Sequence, residues 1–234
     1  MINIKKISTL IVATAFIDFG RAGLVLAFLL MPGILLGNGR VYDTEQVHPE
    51  TGKRIYAAAI LREKFQPYDA KQEKSNWCWA ACVQMVLHYQ GIHIKQEELV
   101  RRVKGSARNE GGTASDMAQA ADGWQVNGKV LKARFINRSG VPGVSKHLID
   151  DLANKYPIIV GLDIPRQRDG HAYVLTAIYY YTDNNDANGP KTPYKVILRD
   201  PSPHSRKYFP EEMSWREFYN NVNCVIYVHP VASN

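Results

Sequence analysis

From residue 76 onward the chain alternates between two hydrophobic periods, first helical, then mostly extended. Trp79, Cys82, Val83, Val86 and Leu87 recur at i, i+3, i+4, i+7 and i+8, the spacing of one buried helix face. This predicts a helix over 78–89, stopped at Gly91, with Ser75 or Asn76 available to cap its start. A second short helix is expected over 96–103. The glycine loop Asn-Glu-Gly-Gly-Thr-Ala-Ser-Asp at 109–116 follows, and Thr113 or Ser115 caps a third helix reaching about residue 121. Residues 128–136 alternate as a strand, and 145–155 form a fourth helix. The second half is richer in extended structure. Residues 157–163 and 171–181 are apolar runs of strand character. A turn cluster over 183–190 precedes the returning strand at 194–200. A last helix from about Ser214 leads into a closing strand over 223–230. Helices first and antiparallel strands afterwards predict an α+β fold, with a helical lobe packed on a C-terminal sheet.

The N-terminus has a different pattern. Residues 7–19 and 22–36 are two apolar stretches interrupted by Asp18 and Arg21. Neither reaches the roughly 20 uninterrupted apolar residues of a bilayer span. With Lys5 and Lys6 ahead of them and small residues at Gly37 and Gly39, they fit an export signal, with a retained signal-anchor as the alternative. The expected organisation is a signal peptide or anchor over 1–38, a linker or short pro-like segment over 39–67 that includes a strand or helix around Ile55–Leu61, and one domain over 68–234. This makes the protein exported, secreted or periplasmic, or anchored with membrane association through residues 7–36.

Composition narrows the function classes. The net charge of +7 is spread along the chain without a basic block or an aromatic-interleaved basic stripe, so no nucleic-acid partner is expected. Three cysteines, Cys78, Cys82 and Cys224, make no disulfide framework. Cys82 with Cys224 is the pair to consider, and reduced, buried thiols are the alternative. No cysteine or histidine spacing suggests zinc, and no cofactor is expected.

The stretch Gln72-Glu-Lys-Ser-Asn-Trp-Cys-Trp-Ala-Ala-Cys82 carries the chemistry. Cys78 falls at the first turn of the predicted helix, where unpaired N–H groups and the helix dipole favour thiolate over thiol. The same N–H groups can hold a developing oxyanion. Simple packing of a small residue between two indoles is the competing reading. A nucleophilic thiol needs a base. His88 lies ten positions along the same helix, about 15 Å away at 1.5 Å per residue, and His93 fails similarly. His171 follows Gly170 and opens an apolar strand, which lets its ring project from a sheet edge. Asp200 ends the strand expected to pair with it. That carboxylate can accept the second imidazole N–H, or simply initiate a turn before Pro201. Gln72 is a candidate side-chain oxyanion donor, or an ordinary loop glutamine. Gly111 and Gly112 let a peptide backbone approach, and Trp77 and Trp79 are candidate walls for substrate or pieces of core.

Taken in order, Gln-x5-Cys-Trp-Ala, then Gly-His-Ala opening a strand, then Asp-Pro after the next strand resemble the papain-like cysteine peptidases. The similarity is greatest to a compact bacterial branch with an Asn-Trp-Cys-Trp-Ala-Ala-Cys helix, near effector proteases and double-glycine-leader peptidases. It spans about residues 68–230. The resemblance implies Cys78 as nucleophile, His171 as general base and acid, Asp200 as the orienting residue and Gln72 as oxyanion donor. Papain relatives more often carry asparagine in the third place. The implied partner is a protein or peptide substrate. No ABC-transporter segment is evident, so a leader-peptidase transporter is not expected. An acyltransferase of transglutaminase type on the same residues, an inactive peptide-binding module and a membrane-anchored structural protein are the other readings.

Overall fold

The structure is a computed structural model that describes residues 33–36, 39–138, 145–163, 170–183, 186, 189–204 and 211–233. The expected export signal or anchor lies outside the described residues up to position 32. Among the described residues no helix is long and apolar enough to cross a membrane.

The central helix α2 (Cys78–Tyr89) has the bounds its periodicity predicts. Trp79, Cys82, Val83, Val86 and Leu87 are all buried, each large apolar side chain contributing roughly 1.5–3 kcal/mol by leaving water. Its start differs from expectation. Trp77 occupies the N-cap position and no side chain caps the helix. Ser75 and Asn76 are committed elsewhere: Asn109 Nδ2 donates to Ser75 Oγ, and Asn76 bonds both the side chain and the carbonyl of Asn109. The first N–H groups of α2 are thus left to the cleft rather than to a local cap. Helix α3 (Gln96–Lys104) ends at Gly105, whose φ of 74° terminates the turn at little cost for a residue without Cβ. Helix α4 (Ala114–Ala121) opens with a capping box. Thr113 Oγ1 accepts from the Asp116 N–H, and Asp116 accepts from the Thr113 N–H, so two orphan donors are satisfied reciprocally.

Among the described residues the strands form one ten-stranded, forked sheet around β7 (His171–Thr182). On one side β7 pairs antiparallel with β8 (Lys191–Arg199), which continues to β9 (Glu211–Ser214). On the other side the first half of β7 pairs with β6 (Ile158–Leu162). Beyond β6 lie β10 (Val222–Ala232), β5 (Lys129–Asn137) and β4 (Gln125–Val126). The second half of β7 pairs with β3 (Arg54–Ala59), followed by β2 (Gly39–Val47) and β1 (Gly33–Leu36).

This last branch lies within the segment expected as a linker or short pro-like stretch over 39–67, with its strand or helix about 55–61. Residues 39–59 are two strands of the sheet, and Arg62–Phe65 adds a short helix, α1. The polar run of β2 obscured the first of them, but Val41, Tyr42 and Ile55 through Ile60 are buried. Register shifts in β7 around Thr176, so Tyr173 and Leu175 share a face with Ile178 and Tyr180 rather than with Ala177 and Tyr179. A bulge of this kind reverses which residues face the core.

Two cores sandwich the sheet. On one face α5 (Ser145–Ala153) and α6 (Trp215–Asn221) bury Leu148, Leu152 and Phe218 against Val160, Leu175 and Val225. On the other, α2, α3 and α4 pack on Ile159, Ala172, Val174, Ile226 and Val228. The second core holds the tip of α2 against the start of β7.

Candidate active site

Cys78 is the first residue of α2, and the first backbone bond closing that end is Ala81 N–H to Trp77 C=O at 2.9 Å. The N–H groups before it have no acceptor within the helix. His171 is the first residue of β7, and Gly170 before it has a φ of 66°, the left-handed region that suits glycine. The β7–β8 register pairs Val174 with Arg199, which sets Asp200 diagonally from His171. His171 Nε2 donates to Asp200 Oδ1 at 2.7 Å. The same oxygen accepts the Ser202 N–H at 2.8 Å, so the carboxylate is held from two sides. Tyr173 packs edge-on against the imidazole at 4.8 Å.

With Nε2 committed to Asp200, Nδ1 is the ring nitrogen left for the sulfur. Cys78, His171 and Ala172 line the same cleft, and the Cys78 sulfur is within interaction range of the imidazole and of the backbone N–H groups of Ala172 and Trp79. The structure therefore brings Cys78, His171 and Asp200 into one row.

Electrostatics follow from that row. Burial alone would raise the Cys78 pKa, but the bonds from His171 and the two N–H groups outweigh it and lower the value. Burial pulls His171 the other way from its partners, and Asp200 with Cys78 wins, raising it to about 9. Asp200 is lowered, because the His171 and Ser202 bonds overcome its burial. Each shift favours the charged form, so the arrangement stabilises a thiolate–imidazolium pair beside a carboxylate.

The row opens on a cleft of about 620 Å³. Of the expected site residues, Gln72, Cys78, Trp79, Gly111, Gly112 and His171 line it. Trp77 does not: it is 1% exposed and its indole N–H donates to the Arg108 carbonyl. Trp79 is equally buried and donates to the Glu110 carbonyl. The two indoles thus anchor the glycine loop from beneath. A Cβ on Gly112 would come within 2.4 Å of the Trp79 ring, so only glycine fits there without movement. The Gln72 amide donates to the carbonyls of Lys74 and Ser75 at 3.0 and 2.7 Å, and its Oε1 is buried without a hydrogen-bond partner.

The opposite wall was not foreseen. Gly161, Asn223 and Cys224 line the cleft with Asn137 and His204. Register shifts in β10 between Val222 and Cys224, and Asn223 Nδ2 donates to Asp163 Oδ1 at 2.6 Å. A lone polar residue opening an otherwise apolar strand was the available signal. All three cysteines are free thiols, so the Cys82–Cys224 pairing considered from sequence is not formed. Among the described residues no cluster of side chains is suited to a metal ion.

The profile of the Peptidase_C39 like family matches residues 63–225. The chain matches no curated protein. Among solved structures it is similar to the peptidase domain of Streptococcus ComA, a bifunctional ABC transporter involved in quorum sensing. That similarity has 22% identity and a TM-score of 0.46, covering 69% of this chain and 97% of the other. It is also similar to a double-glycine-motif protease from an AMS/PCAT transporter in complex with the leader peptide. There the identity is 19% and the TM-score 0.43, covering 69% of this chain and 89% of the other. The family match spans the cysteine helix, the His171 strand and Asp200, and the chain belongs to the Peptidase_C39 like family, a cysteine-type peptidase family.

Proposed function

We propose that the chain hydrolyses peptide bonds through a thioester formed on Cys78, with His171 as general base and acid and Asp200 as the group that orients the imidazole. The observation that carries this reading is the continuous row from the Cys78 sulfur through His171 to Asp200 at the edge of the cleft. The thiolate attacks the scissile carbonyl and its electron pair moves onto the carbonyl oxygen. His171 gives its Nδ1 proton to the departing amine as the carbonyl re-forms. Water then adds to the thioester, losing a proton to His171, and the thiolate leaves the carboxylic acid product. Asp200 keeps Nε2 protonated and the ring in plane throughout.

The oxyanion is held between the Cys78 N–H and the Gln72 side chain. For this, one Gln72 N–H exchanges a loop carbonyl for the oxyanion, within the amide's present reach of the cleft. The substrate is a protein or peptide that lies along the Gly111–Gly112 loop. The protein is exported or membrane-anchored by its apolar N-terminus.

The test is a peptide vinyl sulfone followed by mass spectrometry, with N-terminal sequencing of the mature protein. A single adduct on Cys78, lost in Cys78→Ala, together with peptide hydrolysis in the absence of any added amine, supports the reading. An adduct elsewhere, or turnover only with an amine acceptor, contradicts it.

A further inference from the structure

Two buried glutamines away from the sulfur have no part in the chemistry described above. Gln96, at the first turn of α3, is 1% exposed, and Gln84, inside α2, is 8% exposed. Buried primary amides are costly unless their hydrogen bonds are made. Two of the Gln96 bonds are made to one place. Its Nε2 donates to the Lys71 carbonyl at 2.8 Å, and its Oε1 accepts the Glu73 N–H at 2.9 Å. These are the backbone groups on either side of Gln72. The second Gln96 N–H donates to Gln84 Oε1 at 3.0 Å, and Gln84 Nε2 donates to the Ile94 carbonyl at 2.8 Å.

The side-chain amide of Gln96 thus pairs with the main chain around residue 72 as a neighbouring strand would. It also ties that segment to the helix that begins at Cys78. From the other side the Gln72 N–H donates to the Pro201 carbonyl at 2.8 Å, and Lys71 Nζ donates to the Asp200 carbonyl at 3.1 Å. The stretch carrying Gln72 is therefore held between α2, through two amides, and the loop carrying Asp200.

We propose that Gln96, backed by Gln84, is a positioning residue that fixes the Gln72 amide relative to Cys78 and so shapes the oxyanion site; this rests on the reading of Gln72 as oxyanion donor. The backbone groups beside Gln72 would otherwise turn to water, and its side chain would lose its fixed distance from the helix tip. Misplacement on the scale of one ångström is enough to lower a rate by about a hundredfold. Gln96 touches neither substrate nor sulfur and acts only through Gln72.

The experiment compares Gln96→Met, Gln84→Met and Gln72→Ala with the unaltered full chain. Three readouts are needed: kcat and KM on an internally quenched peptide selected for the wild-type enzyme, affinity for a peptide aldehyde of the same sequence, and the rate of Cys78 alkylation by iodoacetamide. The aldehyde forms a tetrahedral adduct whose oxygen needs the oxyanion donors; alkylation needs only the thiolate. Gln96→Met should lower kcat about ten- to a hundredfold with KM within about twofold. Aldehyde affinity should fall in parallel and alkylation should stay unchanged. Gln84→Met should show the same signature at smaller size, which keeps the proposal testable if Gln96→Met does not fold. Adding Gln72→Ala to Gln96→Met should cost little more than either alone. If Gln72→Ala lowers kcat while both folded methionine variants keep it, or if alkylation falls with kcat, the positioning role is overturned. If Gln72→Ala itself leaves kcat and aldehyde affinity intact, the oxyanion reading fails instead.

Discussion

Cys78 and Cys82 stand one turn apart on the same helix and have opposite chemistry. Cys82 is 0% exposed within the α2–α4 core. Its pKa is raised well above the ordinary thiol value, by burial first and then by the nearby Cys78 and Asp200 charges. Cys78 is also largely covered, yet its pKa is lowered. The difference is not residue type, helix or depth alone. It is that the sulfur at the tip meets an imidazole and two backbone N–H groups, while the one a turn later meets hydrocarbon. A helix N-terminus supplies a reactive position only when the sheet brings a partner to it.

The comparison breaks most sharply if the wrong thiol is needed. Cys78→Ala should lower peptide hydrolysis by about a millionfold, the scale of removing a nucleophile, measured by single-turnover assays at high enzyme concentration. Next in size is Asp200→Ala, which removes the acceptor of the His171 Nε2–H and leaves the imidazole without its orienting group. It should lower kcat by about 10⁴-fold while the protein stays folded by circular dichroism.

A third effect is on pH. His171 is raised to about 9, so the alkaline limb of kcat/KM should fall near pH 9, and Asp200→Ala, which removes both the bond and the charge of that carboxylate, should move the limb to lower pH. The linked stability has a definite sign. A histidine raised from 6.5 to about 9 contributes stabilisation that is fully present below 6.5 and is lost as pH rises through about 9. Urea titrations of wild type and His171→Ala should therefore converge above that pH. The smallest effects should be Thr113→Ala, which removes a capping-box partner and costs about 1 kcal/mol, and Cys82→Ala. The latter should cost about 1–2 kcal/mol of stability through a small cavity with hydrolysis within about threefold of wild type.

What could be read from the chain was whatever repeats locally. The helical period places α2 at its observed bounds, Thr113, one of the two cap candidates, caps α4, and α6 begins next to Ser214, about where the pattern starts it. Cys78, His171 and Asp200 were legible because each sits at the end of an element, and an antiparallel register carries one strand end to another. The apolar run about Ile55–Leu61 showed an element without settling strand or helix, and the strand of 39–47 was not legible, because Asp43, Thr44, Glu45 and Gln46 hide its period-two pattern. The wall formed by Gly161, Asn223 and Cys224 depends on a register shift in β10, which no local pattern encodes. The role of Gln96 depends on contacts across 23 and 25 residues of chain, invisible in a helix start that reads as ordinary and solvated.

The rate of Cys78 alkylation by iodoacetamide as a function of pH, in wild type and in His171→Ala, tests the central claim most directly. A thiolate held by its imidazole should give a wild-type profile that stays reactive well below the ordinary thiol range, and His171→Ala should return it to a single rise near the value of a free cysteine, about 8.5. Identical profiles in the two proteins, both rising only in the ordinary thiol range, would contradict it.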